Sequence, residues 1–183
     1  MRLFYALVPD DAARATLAGA GSALARHVGG RAIPAVNLHV TVVFVGDAAD
    51  ASLPCLRVAL HAMPRTPFTL SLDRIGGWRA ARVAWLAPSL VPPPLAALHD
   101  RLNAAVAACG LPTETRPFRP HVTLARRPVH PPREAAVAPI AWDVRRVALM
   151  RSDGTPDGVR YREVDGVALD GGTRPASASA RDQ

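Results

Sequence analysis

Two strand-like runs carry the same tripeptide. NLHVTVVFVG (residues 37–46) and RPHVTLARRP (residues 119–128) each place His-Val-Thr ahead of further apolar residues, once in each half of the chain. Side chains at i and i+2 of a strand share a face. His39 and Thr41 therefore project together while Val40 and Val42 point to the core. His121 and Thr123 do the same, with Val122 and Leu124 behind them. With six His in 183 residues, about 0.3 His-x-Thr triplets are expected by chance, so one copy means little. Two copies with matching flanks constrain the fold. Each offers one imidazole and one hydroxyl on a rigid element, and the pair predicts that both sets line one cleft.

The rest of the chain supplies the frame. Residues 2–8 are apolar on both faces, as in a central strand. Asp10 caps a helix running to about His27, with Gly29-Gly30 as its stop. A second helix starts at Asp50 or Ser52 and carries Leu53, Leu56, Leu60 and Met63 on one stripe. Residues 67–78 (PFTLSLDRIGGW) alternate as a half-exposed strand, with RVAWLAP as its antiparallel partner across a turn at Gly76-Gly77. The triple proline at 92–94 opens a third helix. Its buried stripe is Leu95, Leu98, Leu102, Val106 and Cys109. Residues 127–139 are Pro-rich and read as a loop. A last strand pair follows, around a turn at Asp153–Gly158. In each half a helix precedes an HVT strand, a weak internal repeat. The expectation is an α+β fold that is bilobal. Two mostly antiparallel sheets, related by a pseudo-two-fold, flank a central cleft, with helices on the outer faces. One domain spans 1–170, and residues 171–183 form a disordered tail.

Composition narrows the class. Apolar residues make up 49% of the chain, too many for disorder, and no apolar run reaches the ~20 residues of a membrane span. The opening MRLFYALVPDDAAR does not read as a signal peptide, because its short apolar part leads into Asp10 and Asp11. A cytoplasmic monomer is expected. Cys55 and Cys109 lack metal-ligand spacing and read as buried free thiols in a reducing compartment. The net charge is +7 and every basic residue is Arg. Coding bias accounts for the count, while the charge favours polyanions.

Two imidazoles and two hydroxyls in one cleft suit phosphodiester cleavage. A neutral imidazole takes a proton from the nucleophile, and an imidazolium gives one to the departing oxygen. The threonine hydroxyls bond the non-bridging oxygens, where charge must be stabilised. Zinc normally wants a third protein ligand, and neither motif has another donor beside its histidine. No metal or other cofactor is expected.

These residues resemble the two-histidine (2H) phosphoesterases, and within them the RNA 2′,3′-cyclic phosphodiesterases historically called 2′-5′ RNA ligases. The likeness covers roughly residues 1–169. It includes RLFYAL, NLHVTVVFVG, FTLSLDRIGGW, LHDRLNAAVAACG, RPFRPHVTLAR and RRVALMRS. It implies hydrolysis of a 2′,3′-cyclic phosphate to a 2′-phosphate without metal, on RNA ends or cyclic nucleotides. Carried over, His39 is the acid that protonates the ribose 3′ oxygen and His121 the base that activates water, an order the motifs alone leave open. Thr41 and Thr123 hold the phosphate. Arg126 is a further phosphate candidate through TLAR, although strand parity sends it to the face opposite His121 unless the strand bends. Phe118, Arg119 and Arg151 are candidates for base or RNA contact. A basic residue is common in the family where this chain has Val43. His27, His61, His99 and His130 receive no role. Trp78, Trp85 and Trp142 offer base stacking, against core packing as the commoner use. Rival readings are 2′-5′ ligation, cleavage of another cyclic or 2′-5′ phosphodiester, and a nucleotide- or RNA-binding module without turnover.

Overall fold

The computed structural model describes residues 1–155 and 158–171. The expected tail beyond Gly171 and the centre of the expected turn before Gly158 lie outside the described residues. Strands β1 (Arg2–Leu7), β2 (Arg31–Ala32) and β3 (Val40–Asp47) come first, with helix α1 (Asp11–Val28) between β1 and β2. Helix α2 (Leu53–His61), strands β4 (Phe68–Trp78) and β5 (Val83–Ala87) and helix α3 (Pro93–Ala108) form the middle. Strands β6 (Val122–Arg126), β7 (Ala135–Val144), β8 (Arg146–Thr155) and β9 (Gly158–Ala168) complete the chain.

The fold is α+β, but its strands form one nine-stranded sheet where two were expected, in the order β7-β4-β5-β6-β3-β1-β8-β9, with β2 beside β6. Every pairing is antiparallel. Continuity rests on one residue pair, Val40 with Val122, between the two motif strands. On the β6 side of that pair lie five strands, β2 among them, and on the β3 side four.

Local chemistry explains the elements. Asp10 accepts from the Ala13 N–H at 2.8 Å and caps α1, and Gly29 ends it at φ 65°, a left-handed conformation that glycine adopts without a Cβ penalty. Leu3, Tyr5 and Leu7 of β1 join Val40, Val122 and the buried leucines of all three helices in one core. Phe4 and Ala6 pack on the other face with Ala148 and Met150. α1 lies close over β6: a Cβ on Gly21 would sit 3.3 Å from the Leu124 carbonyl. The buried Tyr5 hydroxyl donates to the Leu56 carbonyl at 2.7 Å, tying α2 to β1.

Three local expectations are corrected. Gly76 and Gly77 do not turn; they continue β4, opposite Trp85 and Ala84. A Cβ at Gly76 would come within 2.3 Å of the Trp85 ring, so glycine is needed to admit the indole. β7 runs through part of the expected loop. It is an edge strand, and Pro139 falls where the register slips between Leu72–Ile140 and Arg74–Ala136; edges and bulges are where strands tolerate proline. Cys55 and Cys109 are not free buried thiols. They form a disulfide from α2 to the end of α3, with Cys55 exposed. Among the described residues no helix is long and apolar enough to cross a membrane.

Candidate active site

The Val40–Val122 pair organises the site. Both valines are fully buried, so the residues on either side of each project to the other face of the sheet. In antiparallel register His39 falls opposite Thr123, and Thr41 opposite His121. The two imidazoles are then diagonal neighbours, a relation that spaces residues about 7–8 Å apart with their Cβ atoms somewhat closer.

Both motif strands bulge at the residue after the threonine. In β3, Tyr5 faces Val43 and Ala6 faces Thr41, leaving Val42 as the extra residue. In β6, Ala84 faces Ala125 and Trp85 faces Thr123, leaving Leu124 extra. A bulge resets the alternation of faces. Arg126 is thereby returned to the face of Thr123, which simple parity denied it, and Phe44 takes the matching place in β3. The carbonyls at the bulges find outside partners: Val42 accepts from His99 Nδ1 at 2.8 Å, and Leu124 from the Ile33 N–H at 2.9 Å.

The two histidines are held alike. His39 donates Nδ1–H to the Asn37 carbonyl at 2.7 Å, and His121 donates Nδ1–H to the Arg119 carbonyl at 2.8 Å. A carbonyl only accepts, so Nδ1 carries the proton and Nε2 of each neutral ring presents a lone pair. The Thr41 hydroxyl donates to His39 Nε2 at 3.1 Å. Among the described residues, Nε2 of His121 has no partner. An aromatic ring meets each imidazole edge-on: Tyr161 meets His39 at 4.9 Å and 82°, and Trp78 meets His121 at 4.5 Å and 80°. Behind these stand Phe4, 5.0 Å from His39, and Trp85, 5.4 Å from Trp78.

The surroundings depress both rings. Burial pushes His39 down to about 4; its bond to Asn37 opposes this, and the nearby His121 and Arg126 add to it. Burial also lowers His121, against its bond to Arg119. Both imidazoles are thus neutral at pH 7 in the free protein, and a bound anion would favour protonation.

Each histidine lines a cavity of its own. The larger, about 920 Å³, takes His39, Thr41, Thr123 and Arg126 into its wall. The smaller, about 420 Å³, is lined by His121, Trp78, Phe44, His99, Phe118 and Arg119, among others. His39 thus lines the larger hollow and His121 the smaller. Phe118 stacks on His99 at 4.1 Å and 7°. Arg119 holds His121 through its carbonyl. Arg151 does not join the site: its guanidinium donates to Asp153 at 2.6 Å, and neither cavity includes it. Among the described residues no group of three or more His, Cys, Asp or Glu comes together.

Several residues at this site went unread in the sequence. His99, given no role, supports both the Val42 bulge and the Phe118 ring. Asn37 donates from its amide to the Val159 carbonyl at 2.8 Å and accepts the Tyr161 N–H at 3.3 Å. It thereby docks β9 beside His39. A polar residue two positions before the first histidine was the one available signal; its partners lie more than 120 residues away.

Known proteins share this arrangement of elements. A model of the 2′-5′ RNA ligase superfamily matches residues 6–156. The chain is 31% identical over 182 residues to the RNA 2′,3′-cyclic phosphodiesterase of Thermus thermophilus, covering 93% of this chain and 91% of that protein. The Escherichia coli protein of the same name is 36% identical over 97 residues, 53% of this chain and 55% of that protein. Among solved structures, E. coli LigT complexed with 3′-AMP superposes with a TM-score of 0.79 at 28% identity, covering 92% of this chain and 98% of that one. TT0787 of T. thermophilus gives 0.78 at 30% identity, covering 93% and 99%. The family match takes in both motifs and most of the chain, and this protein belongs to the 2′-5′ RNA ligase superfamily.

Proposed function

We propose that the protein is an RNA 2′,3′-cyclic phosphodiesterase that opens a 2′,3′-cyclic phosphate to a 2′-phosphate. The observation that supports this reading is the Val40–Val122 pair between the two motif strands, which in antiparallel register turns both imidazoles and both hydroxyls to one face of the sheet. Water attacks the phosphorus and gives its proton to His121 Nε2. The P–O3′ bond breaks, and His39 Nε2–H protonates the leaving O3′. The cyclic phosphate anion itself recharges His39, offsetting the burial that keeps the free ring neutral. Thr41, Thr123 and the Arg126 guanidinium hold the non-bridging oxygens. Phe118 and Arg119 bound the hollow offered to the terminal nucleoside.

The named relatives support the reaction, and the donor set suits it without a cofactor. We read residues 1–170 as one domain of two lobes related by a pseudo-two-fold. The bulge after each threonine and the Nδ1 bond two residues before each histidine support that relation. Joining through a 2′-5′ bond is the same chemistry reversed, and excess water favours hydrolysis. The test is incubation with the four 2′,3′-cyclic nucleotides in EDTA. The 2′-monophosphate is expected from wild type, and none from the His39→Ala/His121→Ala double variant. A 3′ product, or full activity in the double variant, would sink the assignment.

A further inference from the structure

The hollow lined by His121 is walled by rings, yet it holds a negative charge. Phe44, Trp78, His99 and Phe118 border its volume of about 420 Å³, which falls within the range of small-ligand sites. Glu114 is the one acid among its lining residues. A carboxylate drawn toward apolar walls is costly unless donors satisfy it, and this one is satisfied in part. Its partner is Arg116, whose backbone N–H donates to Oε1 at 3.2 Å and whose guanidinium donates to Oε2. The two side chains are unequally placed, that of Arg116 being 82% exposed and that of Glu114 29%. The cation lies mostly in solvent, and the carboxylate is largely withdrawn from it. Each carboxylate oxygen accepts a bond from Arg116 and keeps lone-pair capacity for another. The same pairing holds the carboxyl well below the usual carboxylate range, so at neutral pH it accepts hydrogen bonds and donates none.

Glu114 sits in the segment between α3 and β6 that also delivers Phe118 and His121. That segment is fastened near both ends: Cys109 is bonded to Cys55, and Phe118 stacks on His99 at 4.1 Å. An ionised pair of acceptors, held beside aromatic walls, suits a flat ligand with two adjacent N–H donors. Unpaired bases are recognised in this manner, with their faces on aromatic rings and their edges hydrogen-bonded. Among the RNA bases guanine alone carries two neighbouring donors at one edge of its ring, N1–H and N2–H. Adenine and cytosine set one N–H beside a ring-nitrogen acceptor, and uracil flanks its N–H with two carbonyls. Each of these would turn a lone pair toward the carboxylate. We propose that Glu114 is a specificity-determining residue that accepts N1–H and N2–H of the terminal base, so that the preferred substrate carries a guanosine 2′,3′-cyclic phosphate. This rests on the cyclic phosphodiesterase reading and adds the identity of the base. Arg116 acts on the base only through Glu114, by fixing the orientation of its carboxylate.

The test measures kcat/KM on the 2′,3′-cyclic phosphates of guanosine, adenosine, cytidine, uridine and inosine, the last being guanosine without its N2 amino group. Wild type should favour guanosine over each of the others by at least about tenfold, the scale of one hydrogen bond to a charged group. Glu114→Gln trades one acceptor for a donor. In that variant the guanosine-to-adenosine ratio should fall at least about tenfold, and guanosine and inosine should be cleaved alike. A wild type without guanosine preference overturns the assignment. So does a variant that loses activity equally on all the substrates, as a merely structural role would have it. Should wild type cleave none of them, the functional reading fails and the base reading is judged by binding alone. Isothermal titration with guanosine and adenosine 2′-monophosphates then supports it if wild type binds the guanosine compound at least about tenfold tighter and Glu114→Gln does not. It overturns the assignment if wild type binds both alike or binds neither.

Discussion

His39 and His121 stand on strands with the same backbone plan. Each ring donates Nδ1–H to the carbonyl two residues earlier, each strand bulges after the threonine, and each imidazole meets an aromatic edge. Five positions beyond each histidine the likeness ends. Phe44 faces the hollow beside His121, and Arg126 the hollow beside His39. The equivalent position is apolar in one strand and cationic in the other. Shared backbone chemistry makes the two proposed proton-transfer groups alike. The differing side chains then give them unequal surroundings, with Arg126 in the hollow of His39 and Phe44 in that of His121. That asymmetry can direct a substrate with a base at one end and phosphates at the other.

Removing either imidazole tests the shared part. His39→Ala and His121→Ala should each lower kcat on a cyclic nucleotide by about 10²–10⁴-fold, and the double variant should lose little more, since the two act as a unit. A second test concerns the helices behind β3. Reducing the Cys55–Cys109 disulfide or making Cys55→Ser frees a loop of 54-residue separation, which the chain-entropy relation values at about 4 kcal/mol. Urea unfolding with and without reductant reads it. Gly76→Ala tests the His121 side alone. The added methyl meets the Trp85 ring, with an expected cost of about 1–3 kcal/mol. Trp78 should shift and kcat should fall, while the His39 titration stays in place.

The smallest effects are electrostatic. Both rings have folded pKa values below that of a free histidine, so the unfolded chain binds protons that the native state excludes. Stability is complete above about pH 6.5 and is lost as the pH falls through that value toward 4. Thermal melts from pH 7 to pH 4 should show the decline, and His39→Gln should flatten it. Arg126→Gln should move the His39 midpoint upward by NMR and leave that of His121 unchanged. Equal movement of both would erase the proposed asymmetry.

Much of this was legible in the chain because its causes are local. Asp10, Gly29 and the prolines before Leu95 mark helix ends through backbone chemistry within a few residues. The His-x-Thr spacing fixed which side chains share a face. What escaped reading depended on distant partners. Arg126 changes face through a bulge at Leu124 that is visible only against β5. Gly76 is extended because Trp85 occupies its Cβ space, and without that partner two glycines read as a turn. β7 is rich in alanine and broken by Pro139, so its alternation is weak until β4 pairs with it. The cysteines meet only when α2 and α3 pack. Nothing in the residues near Val40 foretold that one pair would fuse the expected two sheets.

That lone pair leaves the spacing of the two imidazoles with little backbone to enforce it. The helices cross over to do so: α1, which follows β1, packs on β6 and β7, while α3, which precedes β6, packs on β3. The separation that the proposed catalysis requires is therefore set from behind, by the depth to which side chains such as Leu17 and Leu98 seat in the interior. A cavity opened there would present as a slow enzyme before it presented as an unstable one.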